Sequence, residues 1–296
     1  MGNVATGTTL SASLTGIVDD IKVRAFKYMA HTGPMKGLVT AVGVGAKGSS
    51  VTEPYFDPTS RTGTAASEGV KFTAFTSYVP TTRSYTETEW AEGTILTYDD
   101  IEDAKESMRD EHARAHAMVH AKKVDKKCTA VFASFTTNTV TATSTSGLTY
   151  AKIRAAVTKI KAQTQMFDGP FSLVVPDTVY YYTHNNLTQN SNYGVLGSLG
   201  DKLLDNYYAG NIGNDVKVFV DNLGITNGTA STGTNTVCGL FTKEAIGLFM
   251  PRPFLLKTDE DIELRGYKLV STHRAGARVR LEKAGCKITA YGIAAS

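Results

Sequence analysis

The sequence predicts a β-rich α+β fold, and three observations carry that prediction. About 40 of the 296 residues are threonine, set beside 27 glycines and only 8 prolines. Threonine is stiff at χ1 because its side chain branches at Cβ, which favours strands and turns over helix interiors. Second, the apolar residues of the C-terminal half fall in short runs separated by turn residues. Third, Asp99 to Lys127 has the charge order of one long helix, acidic at its start and basic at its end.

The chain is long enough for one large or two modest domains. From Ser13 to Tyr28, Leu14, Ile17, Val18, Ile21 and Phe26 follow a loose helical spacing, as a short helix or an extended arm would. Met35 to Val44 reads as a strand ending in glycines. A polar loop follows, punctuated by Pro54 and Pro58, where neither a helix nor a central strand is comfortable.

Between Thr62 and Leu96, Phe72, Phe75, Tyr78, Val79, Tyr85, Trp90 and Ile95 lie among threonines. The alternation predicts a long hairpin or a pair of extended strands. It is too polar to be buried on both faces, so it must project or lie on another chain. The helix from Asp99 would span roughly 40 Å at 1.5 Å per residue. Its apolar stripe is read as Ile101, Ala104, Met108, Ala115 and Val119.

Thr149 caps a second helix, Tyr150 to Gln165, with Ile153, Ala156, Val157 and Ile160 on its apolar face. Phe171 to Val175 is a short buried strand stopped by Pro176, and Asp177 starts a third helix. Asn185 to Gly200 and Gly224 to Asn235 read as loops. Further strands are expected at 217–220, 237–250, 254–264, 267–280 and 286–291.

Several function classes are excluded by what is missing. A net charge of +3 and a pI near 8.6 lack the basic excess of a dedicated nucleic-acid binder. Cys128, Cys238 and Cys286 are isolated and odd in number, which argues against a disulfide framework or a zinc knuckle. No run of about 18 apolar residues predicts a membrane helix. The first 13 residues lack the basic and apolar regions of a signal peptide.

Gly43 to Gly48 matches GxGxxG. Ser49, Ser50, Pro54 and Pro58 leave no helix there to hold a pyrophosphate, so a glycine turn is the better reading. His112, His116 and His120 recur every four residues, but no HExxH and no third ligand accompany them. Solvated or interface histidines are expected, with a protonation-sensitive contact as the sharper alternative. No GxSxG, SxxK or paired carboxylates nominate a catalytic centre. No enzyme activity, cofactor or metal is therefore expected. Arg265, Lys268, Arg274, Arg278, Arg280, Lys283 and Lys287 cluster late in the chain. They form either a solvated strand face or a contact with acidic subunits or nucleic acid.

The order of these elements resembles the tailed-bacteriophage major capsid proteins of the Hong Kong ninety-seven-like fold. The residues that carry the resemblance are Glu68-Gly69 before aromatic and threonine strands, Gly93 to Asp99 running into the long helix, and His116 to Asp125 at its end. Phe171 to Pro176 before a tyrosine-rich helix, Gly239 to Ile246, and His273 to Val279 extend it. The resemblance implies an N-terminal arm over 1–60, an extended loop over 61–98 and a peripheral-domain spine helix over 99–130. An axial domain over 131–250 and return strands of both domains over 251–296 complete it.

It further implies a virion capsid subunit, assembled in the bacterial host cytoplasm, that forms hexamers and pentamers of an icosahedral shell around double-stranded DNA. Implied partners are other copies of the chain, a portal, a separate scaffolding protein, a cement or decoration protein, and packaged DNA on the inner face; no membrane is implied. The arm and loop would lie over neighbours, with Lys71, Phe72, Phe75, Tyr78, Arg83, Tyr85 and Trp90 as interface candidates. Some relatives cross-link a loop lysine to an asparagine. Lys71 has no matched asparagine or activating acid, so that chemistry is not expected. Two alternatives stand beside this reading: an encapsulin-like protein nanocompartment, and a β-rich carbohydrate-binding or hydrolytic protein.

Overall fold

In a computed structural model, the described residues are 33–43, 48–55, 81–97, 106–142, 148–163, 169–180, 208–212, 215–221, 234–261 and 265–292. Parts of 20–28 and the single positions 68, 183, 225 and 263 are described as well. Mixed helix and sheet dominate, as the composition predicts.

The first half supplies a short helix α1 (Met35–Leu38) and strands β1 (Thr40–Val42), β2 (Ser50–Tyr55), β3 (Thr81–Thr86) and β4 (Thr88–Thr97). The long helix α2 (Glu106–Ala130) follows, then β5 (Thr139–Ala142) and helix α3 (Tyr150–Gln163). The rest is mostly strand: β6 (Phe171–Val175), β7 (Tyr208–Ile212), β8 (Val216–Val220), β9 (Thr234–Phe241), β10 (Ile246–Asp261), β11 (Gly266–Val279) and β12 (Gly285–Gly292).

These strands form two main sheets and one ribbon. Among the described residues, a four-stranded sheet runs β1-β10-β11-β4, a six-stranded sheet runs β5-β12-β9-β6-β8-β7, and β2 pairs only with β3. β10 is one strand where the sequence suggests two. Its ladder with β11 shifts register between Phe249 and Arg252 and again between Arg252 and Leu255. Pro251 and Pro253 lie at those shifts, and a residue without an N–H cannot complete a ladder.

The α3 face Ile153, Ala156, Val157 and Ile160 is buried as expected and packs into the main core with the six-stranded sheet. The long helix differs from its expected stripe. Ala115 is exposed and Val119 half-buried, while Ala113, His116, Ala117, His120, Ala121 and Val124 are buried. Ile101 and Ala104, and the Asp99–Asp100 cap, lie outside the described residues, as does the side chain of Met108. Small residues let the helix lie close on the sheet: Ala113 and Ala117 pack with Leu96, Phe254, Leu256 and Leu269, and Ile21 and Ala25 join from the N-terminal side.

The polar stretch around Pro54 is a strand after all. Ser50–Tyr55 pairs antiparallel with Thr81–Thr86, with Pro54 opposite Thr82. A two-stranded ribbon leaves each strand an outer edge where a missing N–H is harmless. Thr88–Thr97 does not continue the ribbon; it is an edge strand of the four-stranded sheet, paired with β11 from Thr97↔Gly266 to Thr88↔Ala275.

Candidate assembly surface

The β2–β3 ribbon stands on a base whose polar contacts come from β11 and the turn after it, beside an apolar contact with β1 and β10. Arg280 sets Nε 3.2 Å and Nη2 3.1 Å from Glu53 Oε1. The Tyr85 hydroxyl donates to the other Glu53 oxygen at 3.2 Å. Arg278 donates to the Ser84 carbonyl at 2.9 Å, and Arg83 caps the Tyr55 ring 5.3 Å from its centroid. Just past the ribbon, Arg274 joins Glu87 at 3.0 Å and Glu89 at 2.9 Å. The late basic cluster thus holds its own chain: Arg274, Arg278 and Arg280 bind carboxylates or carbonyls of residues 53 to 89.

Two glycines admit this docking. A Cβ on Gly276 would overlap the Thr86 carbonyl oxygen, and one on Gly247 would come 2.6 Å from the Tyr85 hydroxyl. Tyr85 itself, expected to face a neighbouring subunit, is 1% exposed. Its ring packs with Val42 and Phe249 in a small core of this chain, where such burial contributes about 2 kcal/mol. Burial beside Glu53 pushes its hydroxyl pKa up to about 12.

Arg83 and Trp90 are half-buried. Trp90 stacks on His273 at 6.3 Å, with Lys127 5.9 Å from its ring centre. Lys71, Phe72, Phe75 and Tyr78 lie outside the described residues. Nothing in the alternating pattern alone separates Tyr85 from the other aromatics. Glu53, the acid that partners it, is 32 residues away in sequence.

Where α2 crosses β11, His116 and His120 are core residues rather than solvated ones, while His112 is half-buried. His116 and His120 are fully buried and His273 is 1% exposed. Ser271 Oγ sits 2.8 Å from His116 Nδ1 and 2.8 Å from His120 Nε2, and Thr94 Oγ1 lies 2.9 Å from His116 Nε2. Ser271 thus bridges two imidazoles, and its hydroxyl also reaches the Glu92 carbonyl at 3.4 Å, to which it donates. Burial pushes His116 and His273 down to about 4, helped by neighbouring imidazoles, and also lowers His120. The trio is neutral at physiological pH, and among the described residues no cluster of side chains is arranged to hold a metal.

One turn later, Asp125 is 2% exposed and meets the arm side of the chain. It accepts the Met35 backbone N–H, and a side chain on Gly33 would collide with its carboxylate. Burial, with buried Asp221 nearby, pushes its pKa up to about 8. Cys128, Cys238 and Cys286 are all free, buried and pushed well above the ordinary thiol range, so they are inert packing residues.

Comparison with known proteins follows this geometry. The phage capsid protein family matches residues 80–288, more than half of the chain. No curated protein matches. Among solved structures, the capsid of Ralstonia phage GP4 is similar with a TM-score of 0.63 at 10% identity, covering 87% of each chain. The capsid of Cyanophage P-SCSP1u gives 0.61 at 15%, covering 90% of this chain and 89% of that one. A virus-like particle from Pyrococcus furiosus gives 0.53 at 10%, covering 91% and 98%. The family match favours the phage shell over the encapsulin-like alternative and gives the carbohydrate reading no support. With its long helix across one sheet, its second sheet and its anchored ribbon, the chain belongs to the phage capsid protein family, as a structural subunit of Hong Kong ninety-seven-like fold in a bacteriophage's icosahedral shell.

Proposed function

We propose that the chain is the major coat subunit that closes into hexamers and pentamers around double-stranded DNA, with no enzymatic role. The observation that carries this reading is the β2–β3 ribbon. A two-stranded sheet is marginal alone in water, yet this one is held in place by ion pairs at its base. Among the described residues no third strand pairs with it, and along its strands exposed side chains alternate with half-buried or buried ones. Such an element gains its remaining partners from another copy, and closed rings need unlike surfaces that meet head to tail.

The reading extends to the arm over 1–60 and the loop over 61–98 lying across neighbours, apart from the segments that pack on this chain's own body, Met35–Val42, the ribbon base and β4. Lys71, Phe72, Phe75 and Tyr78 remain its proposed contacts, with Arg83 and Trp90 at the ribbon's root. A portal, a separate scaffolding protein and a cement protein are the partners such a shell uses, and assembly takes place in the host cytoplasm. Electron microscopy of the overexpressed full chain, with scaffold supplied, tests it. Closed shells are the expected result; a strictly monomeric protein under those conditions would sink the reading.

A further inference from the structure

The exposed side of α2 changes character halfway along. Its first half is occupied by the N-terminal helical residues: the Tyr28 hydroxyl donates to Asp110 at 2.7 Å, and Arg24 lies 3.4 Å from the same carboxylate. Beyond that, from His112 to Ala130, the only acid is Asp125, and it is turned inward and buried. Lys122, Lys123 and Lys126 all project into solvent there. None of the three ammonium groups has an ion pair or hydrogen bond among the described residues.

At 100° per residue the three ammonium groups share one side of the helix, within little more than one turn. Lysines three and four apart repel one another. The helix dipole accounts for cations only in the last turn, 127–130, and Lys122 and Lys123 lie before it. The far face of the sheet is different. There Lys268 pairs with Asp261, Arg252 with Glu89, and Arg274 with Glu87 and Glu89. One side of this layer is neutralised within the chain and the other is left cationic.

We infer that Lys122, Lys123 and Lys126 form a phosphate-binding stripe that rests against the backbone of packaged duplex DNA, so that the free side of α2 faces the shell interior. This rests on the reading of the chain as a DNA-enclosing coat. The match is one of charge and spacing only. Three mobile ammonium groups with no planar fork or base-reading side chain neutralise phosphates without regard to sequence. The low net charge of the chain fits as well: one subunit needs only weak attraction when the shell presents many copies.

The test uses the full-length protein and a random duplex of about 30 base pairs, followed by fluorescence anisotropy from about 50 to 200 mM salt. Each phosphate neutralised contributes about −0.9 to the slope of log K against log salt. K122Q/K123Q/K126Q is expected to weaken binding at least tenfold at low salt and to flatten the slope by up to about three. K122R/K123R/K126R is expected to bind like the parent, as is K243Q/K257Q, which removes exposed lysines elsewhere. Equal binding by the triple glutamine variant, or an equal loss in the K243Q/K257Q control, would overturn the inference. So would protection of the three lysines from acylation in assembled shells lacking DNA, which would mark the stripe as a subunit contact. Micrographs of the same preparations separate the two failures. If the parent forms no shells, the coat reading falls; if shells form and DNA ignores the lysines, only the stripe does.

Discussion

Strand β11 and helix α2 both carry a run of cations, and the two runs have opposite fates. Arg274, Arg278 and Arg280 each find a carboxylate or carbonyl of the ribbon or of the short link after it. The ammonium groups of Lys122, Lys123 and Lys126 find no partner among the described residues. The difference teaches that a basic run in a sequence does not name its partner; the count of acids within reach does. Residue type follows the same division. Arginine's rigid fork suits fixed carboxylates inside a structure, whereas lysine is a hydrated point charge on a flexible stem.

The neutral bases packed between these two elements give the largest expected effect. His116 and His273 have folded-state pKa values near 4, below the unfolded value of about 6.5. The native state therefore binds fewer protons, and the stability they contribute is complete above pH 6.5 and is lost as pH falls toward 4. The slope is on the order of 1 kcal/mol per pH unit for each group. Asp125 has the opposite sign. Its pKa is raised to about 8, so its contribution is complete near pH 4 and fades as pH rises through 8. Urea unfolding across pH is expected to peak near pH 6.5. In Asp125→Asn the alkaline limb should flatten and the acid limb should steepen, because the fading Asp125 contribution no longer opposes the histidines there. An acid limb unchanged in His116→Gln/His273→Gln would refute the assignment.

Next in size is Gly276→Ala, which drives a methyl into the Thr86 carbonyl and should cost about 3 kcal/mol, read as a lowered urea midpoint. Arg280→Met leaves Glu53 half-buried with Tyr85 as its remaining partner. The expected loss is about 2 kcal/mol, together with faster protease cleavage near residues 50–86. The lysine stripe should have the smallest effect on folding. K122Q/K123Q/K126Q is expected to shift stability by less than about 0.5 kcal/mol. If it unfolds the protein as Arg280→Met does, the contrast between the two cationic runs disappears.

Local pattern made much of the architecture legible. The spine helix, the α3 face and the β6, β8, β11 and β12 strands follow from periodicity and turn residues, because those signals need no distant partner. The misread features all depend on one. Alanine and histidine line the buried face of α2 because Ser271 and Leu269 approach closely there, more than 150 residues later in the chain. The partner of Thr81–Thr86 lies across residues 56–80, and Pro54 looked prohibitive until its strand proved to have one strand partner among the described residues. Tyr85 read as a surface aromatic because nothing nearby announces Val42, Phe249 or Glu53. Of the interface candidates, the pattern could supply residue type but not the direction a side chain takes.

The position of β11 in both the sheet and the ribbon base has a consequence in time. β11 pairs with β4 and β10, contributes Ser271 and His273 beneath α2, and brings the arginines to the ribbon. β12 likewise lies between β5 and β9. Both strands follow all of these partners in the order of synthesis. Until they emerge, the ribbon has no anchor, α2 has no floor and the second sheet lacks a middle strand. A nascent chain therefore cannot present a finished contact surface to its neighbours. Long-range closure is slow folding, so the ribbon becomes fixed only in a subunit whose body is complete.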